Sequence, residues 1–195
     1  PATISAPPAP PSPRDEPRLF HVKHTFVTET IFTQAGLADT IRPRLEQFAT
    51  LLLRWNRTVN LIGRRDEAQL WERHIADSMQ LLPLLDSHPA RAIDLGSGGG
   101  FPGLVLAIAT GIPFDLIEVD QRKAAFLREA ARITRAPVQV HAARIEAITL
   151  APAPLVTARA LAPLEDLLAL AAPKLAPGGI LLAMRGKNVD AELTA

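Results

Sequence analysis

The stretch Asp94-Leu95-Gly96-Ser97-Gly98-Gly99-Gly100-Phe101-Pro102-Gly103 lies between a short apolar run that begins at Ala92 and a longer apolar run that begins at Leu104. The first run predicts a buried strand and the second a helix, so the glycines form the turn between them. In a parallel sheet such a turn lies at the carboxyl edge, where α/β proteins bind their ligands. The stretch therefore predicts both the fold class and the position of a site.

Downstream of this stretch, strand and helix patterns alternate to the end of the chain, and upstream of it the apolar residues recur at helical spacing. Strands are predicted at 92–95, 114–119, 138–141, 155–158 and 180–184, and helices at 40–59, 66–83, 104–110, 121–134 and 163–172. This alternation predicts an α/β protein with a Rossmann-like parallel sheet, right-handed crossovers and helices on both faces.

Composition divides the chain into three parts. Residues 1–39 are rich in proline, which predicts a flexible N-terminal tail. Residues 40–90 are predicted to form helices that pack on the core, and residues 91–195 to form the α/β core itself. We expect 40–195 to be a single domain, because its length suits one hydrophobic core.

The overall composition excludes several classes of protein. The chain has no cysteine, which excludes disulfides, thiolate nucleophiles and cysteine-ligated metals. No metal site is expected. No apolar segment approaches the roughly 20 residues that a bilayer requires, and no secretory signal is recognisable, so a cytoplasmic protein is expected. The net charge is only +1, so any affinity for nucleic acid must come from local basic patches.

Two acidic residues bear on the ligand of the glycine turn. The segment from Gly98 to Gly103 matches the dinucleotide pattern G-x-G-x-x-G, but Asp94 beside it would repel a pyrophosphate. The same carboxylate suits S-adenosylmethionine, which carries an ammonium and a sulfonium group. Glu118, at the end of the second strand, is placed to accept ribose hydroxyls of either ligand. S-adenosylmethionine is therefore the expected cofactor, and an NAD(P)-dependent oxidoreductase is the alternative.

The chain resembles a known family in four stretches. Besides Asp94–Gly103, these are Trp55–Leu61 (Trp-Asn-Arg-Thr-Val-Asn-Leu), Arg73–Ser78 (Arg-His-Ile-Ala-Asp-Ser) and Ala158–Ala160 (Ala-Arg-Ala). Together, and in this spacing, they are similar to the bacterial small-subunit ribosomal RNA guanine-N7 methyltransferases, also known as glucose-inhibited division protein B. The resemblance covers about 41 to 186.

The resemblance implies a class I methyltransferase sheet of seven strands, with S-adenosylmethionine as methyl donor and guanine N7 of 16S ribosomal RNA, in the small ribosomal subunit, as acceptor. The cofactor contacts that it implies fall on Gly96, Phe101, Ile145, Glu146 and Arg159, and we include Ser97 and Gly98 of the same turn. The family's sheet continues with a C-terminal β-hairpin for which this sequence has no room. The expected consequence is a truncated chain whose last strand is an exposed edge.

Three positions are candidates for the chemistry itself. Arg159 is expected in the active site, in contact with guanine O6, a phosphate or the cofactor carboxylate. His74 and Asp77 lie one helical turn apart. His74 is a candidate catalytic residue, and a buried histidine that is hydrogen-bonded to an aspartate is the alternative interpretation. Asn56 either caps a loop or contacts RNA, and the sequence does not separate these.

Local basic residues predict an RNA-binding rim on a monomeric enzyme. The candidates are Arg54, Arg57, Arg122, Lys123, Arg185 and Lys187. Unstacked RNA is the expected partner, because the target base must be exposed. A non-catalytic RNA-binding or assembly module with a vestigial pocket remains a further alternative.

Overall fold

The structure of the protein is a computed structural model, and it describes residues 18–22, 38–85 and 89–184. These residues contain six strands, namely β1 (Arg18–Val22), β2 (Ala92–Leu95), β3 (Phe114–Ile117), β4 (Val138–His141), β5 (Ala153–Arg159) and β6 (Leu175–Met184). The α-helices are α1 (Ala38–Asn56), α2 (Asp77–Met79), α3 (Gly103–Thr110), α4 (Gln121–Thr134) and α5 (Leu164–Ala171).

The strands form one sheet in the order β1-β6-β5-β2-β3-β4, and every neighbouring pair is parallel. The predicted α/β fold with a Rossmann-like parallel sheet is confirmed. Strands β2 and β4 and helix α4 have the bounds that the sequence predicts. All four residues of β2 are buried, as expected for a central strand with helices on both faces.

The N-terminal strand is the main difference from the sequence analysis. Arg18–Val22 lies within the segment 1–39, for which the sequence predicts a flexible tail, yet it pairs in parallel with Ile180–Met184 of β6. The many prolines of 1–39 predict irregular structure, although this five-residue segment contains phenylalanine and valine, both of which are favourable in strands. The expectation that the last strand is an exposed edge is therefore wrong, because β1 covers that edge.

Helix α1 packs against α3 and α4 through one apolar face. Ile41, Leu45, Phe48 and Leu52 recur at steps of four and three and are all buried. Beside this apolar face, near the start of α1, the Arg44 guanidinium donates hydrogen bonds to the carbonyls at the carboxyl ends of α3 and α4. The acceptors are Ile108, Thr134 and Arg135, at 3.1, 2.7 and 3.2 Å. Because these helix ends lie at the amino edge of the sheet, the start of α1 is fixed there and its end reaches the carboxyl edge.

The second predicted helix is broken into shorter turns. A 3-10 turn over Arg64–Gln69 and a π turn over Trp71–Ala76 lead into α2, and a second 3-10 turn covers Leu82–Leu84. π turns are rare and are frequently found at functional sites. This one carries His74, whose side chain is buried.

Among the described residues, no helix is long and apolar enough to cross a membrane. In the same residues, no group of three or more potential ligands is arranged to hold a metal ion.

Candidate active site

The glycine turn joins β2 to α3 at the carboxyl edge of the sheet. Gly96, Gly98 and Gly100 have φ angles of 66°, 52° and 92°, in the left-handed region that side chains other than glycine adopt at a cost. A Cβ atom on Gly96 would also lie 2.4 Å from Leu161, which covers the turn from the loop after β5. The run of glycines is therefore required by the backbone path of this turn.

Asp94 lies buried beneath the turn. Its Oδ1 accepts a hydrogen bond of 2.6 Å from the hydroxyl of Thr157, its register partner on β5. Gly103 packs directly on this carboxylate, since a Cβ atom there would lie 2.5 Å from Asp94 Cβ and 2.8 Å from Oδ2. No donor among the described residues makes a well-formed hydrogen bond to Oδ2, although the Gly103 backbone lies near enough to affect its ionisation.

Burial raises the pKa of Asp94 to about 6. The nearby charge of Glu118 acts in the same direction, and the hydrogen bond from Thr157 opposes the rise. Most molecules therefore carry a negative charge under the turn at neutral pH, and the folded protein holds that charge at an energetic cost. A cation that reaches Oδ2 would recover part of this cost.

Glu118 follows β3 and connects the second strand end to the turn. Its Oε2 accepts a hydrogen bond from the Gly98 amide and its Oε1 accepts one from the Asp120 amide, each at 2.8 Å. Asp120 in turn caps α4, because its Oδ1 accepts from the Arg122 and Lys123 amides at 2.8 and 3.1 Å. This chain of contacts places the predicted residue Glu118 at the turn.

Arg159, at the end of β5, meets the buried π turn. Its Nη2 is hydrogen-bonded to His74 Nδ1, and its Nη1 lies 3.8 Å from Asp77 Oδ2. The His74 ring stacks on Phe101 with ring centres 5.0 Å apart, and the Arg159 guanidinium carbon lies 5.5 Å from the centre of the same Phe101 ring. The structure thus brings Phe101 and Arg159 together with the neighbouring residues His74 and Asp77, although these three stretches lie far apart along the chain.

The ionisation of this cluster is shaped first by burial. Burial, and to a smaller extent the neighbouring charge of Arg159, lower the pKa of His74 to about 4. Burial also lowers the pKa of Arg159, against the opposing effect of Asp77. A neutral imidazole beside a guanidinium follows from these directions. The alternative that His74 is hydrogen-bonded to an aspartate is not what the structure shows, because its partner is Arg159.

Asn56 holds the loop after α1 against the glycine turn. Its Oδ1 accepts from the amides of Leu61 and Ile62 at 2.8 and 3.0 Å, and its Nδ2 donates to Glu67 at 2.6 Å. The Leu61 carbonyl then lies so close to Gly99 that a Cβ there would be 3.1 Å from it. Of the two roles that the sequence left open for Asn56, the structure shows the loop cap.

The remaining predicted site residues differ in their burial. Ile145 is buried in the core beside Leu95 and Ile117, whereas Glu146 is exposed. Of the basic candidates, Arg54, Arg57 and Arg122 are exposed and Lys123 is half-buried. Arg185 and Lys187 lie outside the described residues.

Sequence reasoning missed four residues that shape the site. Thr157 and Gly103 hold Asp94, and Leu161 covers Gly96. Val119 is 56% exposed directly after Glu118, which is unusual for a valine at the end of a buried strand. Strand register would have indicated Thr157, because it lies opposite Asp94, but that register was not accessible before the strand order was known.

The residues at this edge fit S-adenosylmethionine. The buried oxygen of Asp94 suits a cationic amino group, and the carboxylate of Glu118 suits ribose hydroxyls. The exposed side chain of Val119 offers apolar surface to an adenine ring. A pyrophosphate would instead meet two carboxylates.

Solved structures share this fold. The chain is similar to a putative O-methyltransferase from Klebsiella pneumoniae, with a TM-score of 0.61 and 16% identity over 86% of this chain and 74% of that one. It is also similar to an O-methyltransferase from Bacillus cereus in complex with S-adenosylhomocysteine, with a TM-score of 0.54 and 16% identity over 70% of this chain and 65% of that one. These likenesses show the class I fold of S-adenosylmethionine-dependent methyltransferases, and the residues of the site fit that cofactor.

The particular family follows from the sequence comparisons. A family model described as rRNA small subunit methyltransferase G matches residues 41–195, and the chain belongs to this family. The Ribosomal RNA small subunit methyltransferase G of Granulibacter bethesdensis is 52% identical over 181 residues, which cover 90% of this chain and 85% of that protein. The protein of the same name from Gluconobacter oxydans is 58% identical over 151 residues, 77% of this chain and 78% of that protein. The family resemblance is confirmed, and neither alternative function is favoured.

Proposed function

We propose that this chain methylates N7 of a guanine in 16S ribosomal RNA, in the context of the small ribosomal subunit, as a cytoplasmic monomer. The observation that carries the proposal is the ionised, buried carboxylate of Asp94 beneath a glycine turn, in a chain that belongs to a ribosomal RNA methyltransferase family. The carboxylate supports a cationic methyl donor, and the family supports an RNA acceptor.

The reaction has little need of general acid–base catalysis. S-adenosylmethionine supplies an electrophilic methyl group on a sulfonium, and guanine N7 offers a lone pair with no proton to remove. The N7–carbon bond forms as the carbon–sulfur bond breaks, and the bonding pair stays on sulfur. Alignment of the two reactants is therefore the main contribution of the protein.

Among the described residues, two sets of side chains would align the reactants. Asp94 would hold the amino group of the donor and Glu118 its ribose, which is supported by the unpaired Oδ2 of Asp94 and by the contact of Glu118 with the glycine turn. Arg159, supported by His74, would hold an oxygen of the donor or of the base. It would not bridge O6 and N7 of the guanine, because a donor on N7 would block the attacking lone pair.

A basic surface borders the same edge of the sheet. Arg54 and Arg57 lie at the end of α1, which the Asn56 loop joins to the glycine turn. Arg122 and Lys123 lie in the first turn of α4, next to Glu118. Four exposed or half-buried cations around the mouth of the site fit contacts with RNA phosphates.

The test combines methyl transfer with mapping of the product. The protein is incubated with methyl-labelled S-adenosylmethionine and three acceptors, namely small subunits that lack the modification, naked 16S RNA and large subunits. We expect label in small subunits, at a guanine whose backbone becomes sensitive to aniline cleavage after reduction, as 7-methylguanine does. Label on an exocyclic amine or a ribose hydroxyl would refute the N7 assignment, and equal labelling of naked RNA would refute the subunit context.

A further inference from the structure

The contact between Arg159 and His74 fixes the tautomer of the imidazole. A guanidinium has five N–H donors and no acceptor, so the nitrogen that it contacts must accept. His74 Nδ1 is that nitrogen. The imidazole is therefore neutral and carries its proton on Nε2, for which no hydrogen-bond partner lies among the described residues.

The surroundings of the ring favour the same neutral state. Asp66 Oδ2 lies 3.9 Å from His74 Nε2 and favours a charged ring, whereas Arg73 and Arg159 disfavour it. Asp77 faces Arg159 from α2, and Phe101 covers one face of the imidazole. Burial lowers the pKa of His74 to about 4, so the proton on Nδ1 is absent through the neutral range.

The Arg159 guanidinium has neighbours on three sides, and one of its nitrogens, Nη1, has no hydrogen-bond acceptor among the described residues. His74 accepts from Nη2, Phe101 lies 5.5 Å from the guanidinium carbon, and Asp77 lies 3.8 Å from Nη1. Nη1 is buried, yet it makes no hydrogen bond within the described part of the chain. A buried donor of this kind is unfavourable unless it meets an acceptor, and a ligand oxygen at this edge would supply one.

We propose that neutral His74 is a positioning residue, which holds the guanidinium of Arg159 so that Nη1 donates to an oxygen of the methyl donor or of the target guanine. The inference rests on the proposed function, since it names how a residue of the same site is kept in place. The two ligand oxygens, a carboxylate and a guanine carbonyl, share the chemistry of an acceptor, and the test separates them.

The first measurement reads the tautomer directly and does not depend on catalysis. In protein labelled with ¹⁵N at histidine, we expect His74 to stay neutral, with the proton on Nε2, from pH 6 to 8. The Arg159→Ala variant should shift the Nδ1 resonance toward that of an imidazole nitrogen without a donor. His141, whose Nε2 lies 2.7 Å from Asp115 Oδ1, should not move and is the internal control. A cationic His74 at pH 7, or a proton on Nδ1, overturns the proposal.

The second measurement uses two substitutions that differ in hydrogen bonding. His74→Phe keeps a ring on Phe101 but removes the acceptor, whereas His74→Asn offers an amide oxygen close to the position of Nδ1. We expect His74→Phe to lose about tenfold or more in transfer to small subunits or in affinity for S-adenosylhomocysteine, and His74→Asn to recover most of this loss. His141→Asn, outside the cluster, is the matched control with unchanged activity.

The Kd of S-adenosylhomocysteine and kcat together identify which ligand oxygen Nη1 contacts, and a double variant distinguishes a positioning role from a merely structural one. A rise in the Kd of S-adenosylhomocysteine assigns Nη1 to the donor carboxylate, and an unchanged Kd with lower kcat assigns it to the guanine. His74→Phe should have no further effect when Arg159 is already alanine, so an additive loss in the double variant means a merely structural role and overturns the proposal. If the wild-type protein itself transfers no label to small subunits, the proposed function fails, while the tautomer measurement still decides the role of His74.

Discussion

Substitution of Gly103 by alanine tests the geometry of the site most sharply. The added Cβ would lie 2.5 Å from Asp94 Cβ and 2.7 Å from its Cγ, far inside van der Waals contact. Either the start of α3 or the carboxylate must move. Overpacking of this kind costs about 1–3 kcal/mol of stability, and the loss of a charge-assisted contact from Asp94 costs about 1.5–3 kcal/mol of binding. We therefore expect the Kd for S-adenosylmethionine to rise about ten- to hundredfold.

The assay is calorimetric titration of S-adenosylmethionine, together with thermal unfolding of the ligand-free protein. Gly111→Ala is the matched control, because Gly111 has a φ of 74° but no atom within 4 Å of its added Cβ. That variant should lose about 1–2 kcal/mol of stability from backbone strain alone and keep its affinity for the cofactor. If Gly103→Ala bound S-adenosylmethionine as tightly as the wild type, the close packing on Asp94 would have no functional meaning.

Three further outcomes follow from the structure. Burial raises the pKa of Asp94 to about 6, so the Kd for S-adenosylmethionine should be constant from pH 7 to 8. Below pH 6, where the carboxylate is protonated, the Kd should rise about tenfold for each pH unit. A Kd that does not change down to pH 5 would contradict this. Arg57→Ala should weaken the binding of small subunits and reduce the slope of log affinity against log salt by about 0.9. Arg42→Ala, at the other end of α1, should change neither quantity. Equal effects of the two substitutions would argue against a local RNA surface. Arg44→Ala should lower the free energy of unfolding by about 1.5–3 kcal/mol, since a charged donor to three helix-end carbonyls is lost. The cofactor Kd should stay unchanged, and weaker cofactor binding would contradict a purely stabilising role for Arg44.

The fold was largely predictable because its signals are local. The α/β alternation after Arg91, the helix from Gln121 to Thr134 and the left-handed end of α3 at Gly111 all follow from hydrophobic periodicity and glycine placement. Strand β1 was not predictable, because a five-residue segment in parallel pairing depends on a partner about 160 positions away. The broken second helix was also missed, since periodicity does not distinguish α from π turns.

The site was predictable where a motif lies on one stretch of chain and unpredictable where two stretches meet. Asp94, Glu118 and the glycine turn could be read from their positions after successive strands. The contact of Arg159 with His74 joins residues 85 positions apart, so it depends on the tertiary packing. The packing of Gly103 on Asp94 was hidden for a different reason: the sequence gives no spacing that assigns one glycine of several to the close approach.

Asp94 also carries a linked effect on stability. Its folded pKa of about 6 lies above the usual value of 3.8, so the folded state binds this proton more tightly than the unfolded chain does. The free energy of unfolding therefore falls as the pH rises from about 4 through 6, by an amount on the order of 3 kcal/mol. Function at neutral pH is thus maintained against a local loss of stability.

We infer that the negative charge of Asp94 selects a cationic methyl donor. Asp94→Asn tests this most directly, because the amide keeps the shape of the side chain and removes its charge. In calorimetric titrations at pH 7.5, we expect the wild-type protein to bind S-adenosylmethionine and to give no binding heat with NADH, and the variant to bind S-adenosylmethionine at least about tenfold more weakly. The ligand-free variant should at the same time unfold at a higher temperature than the wild type. Equal affinity of the two proteins for S-adenosylmethionine, or tight binding of NADH by the wild type, would contradict the account.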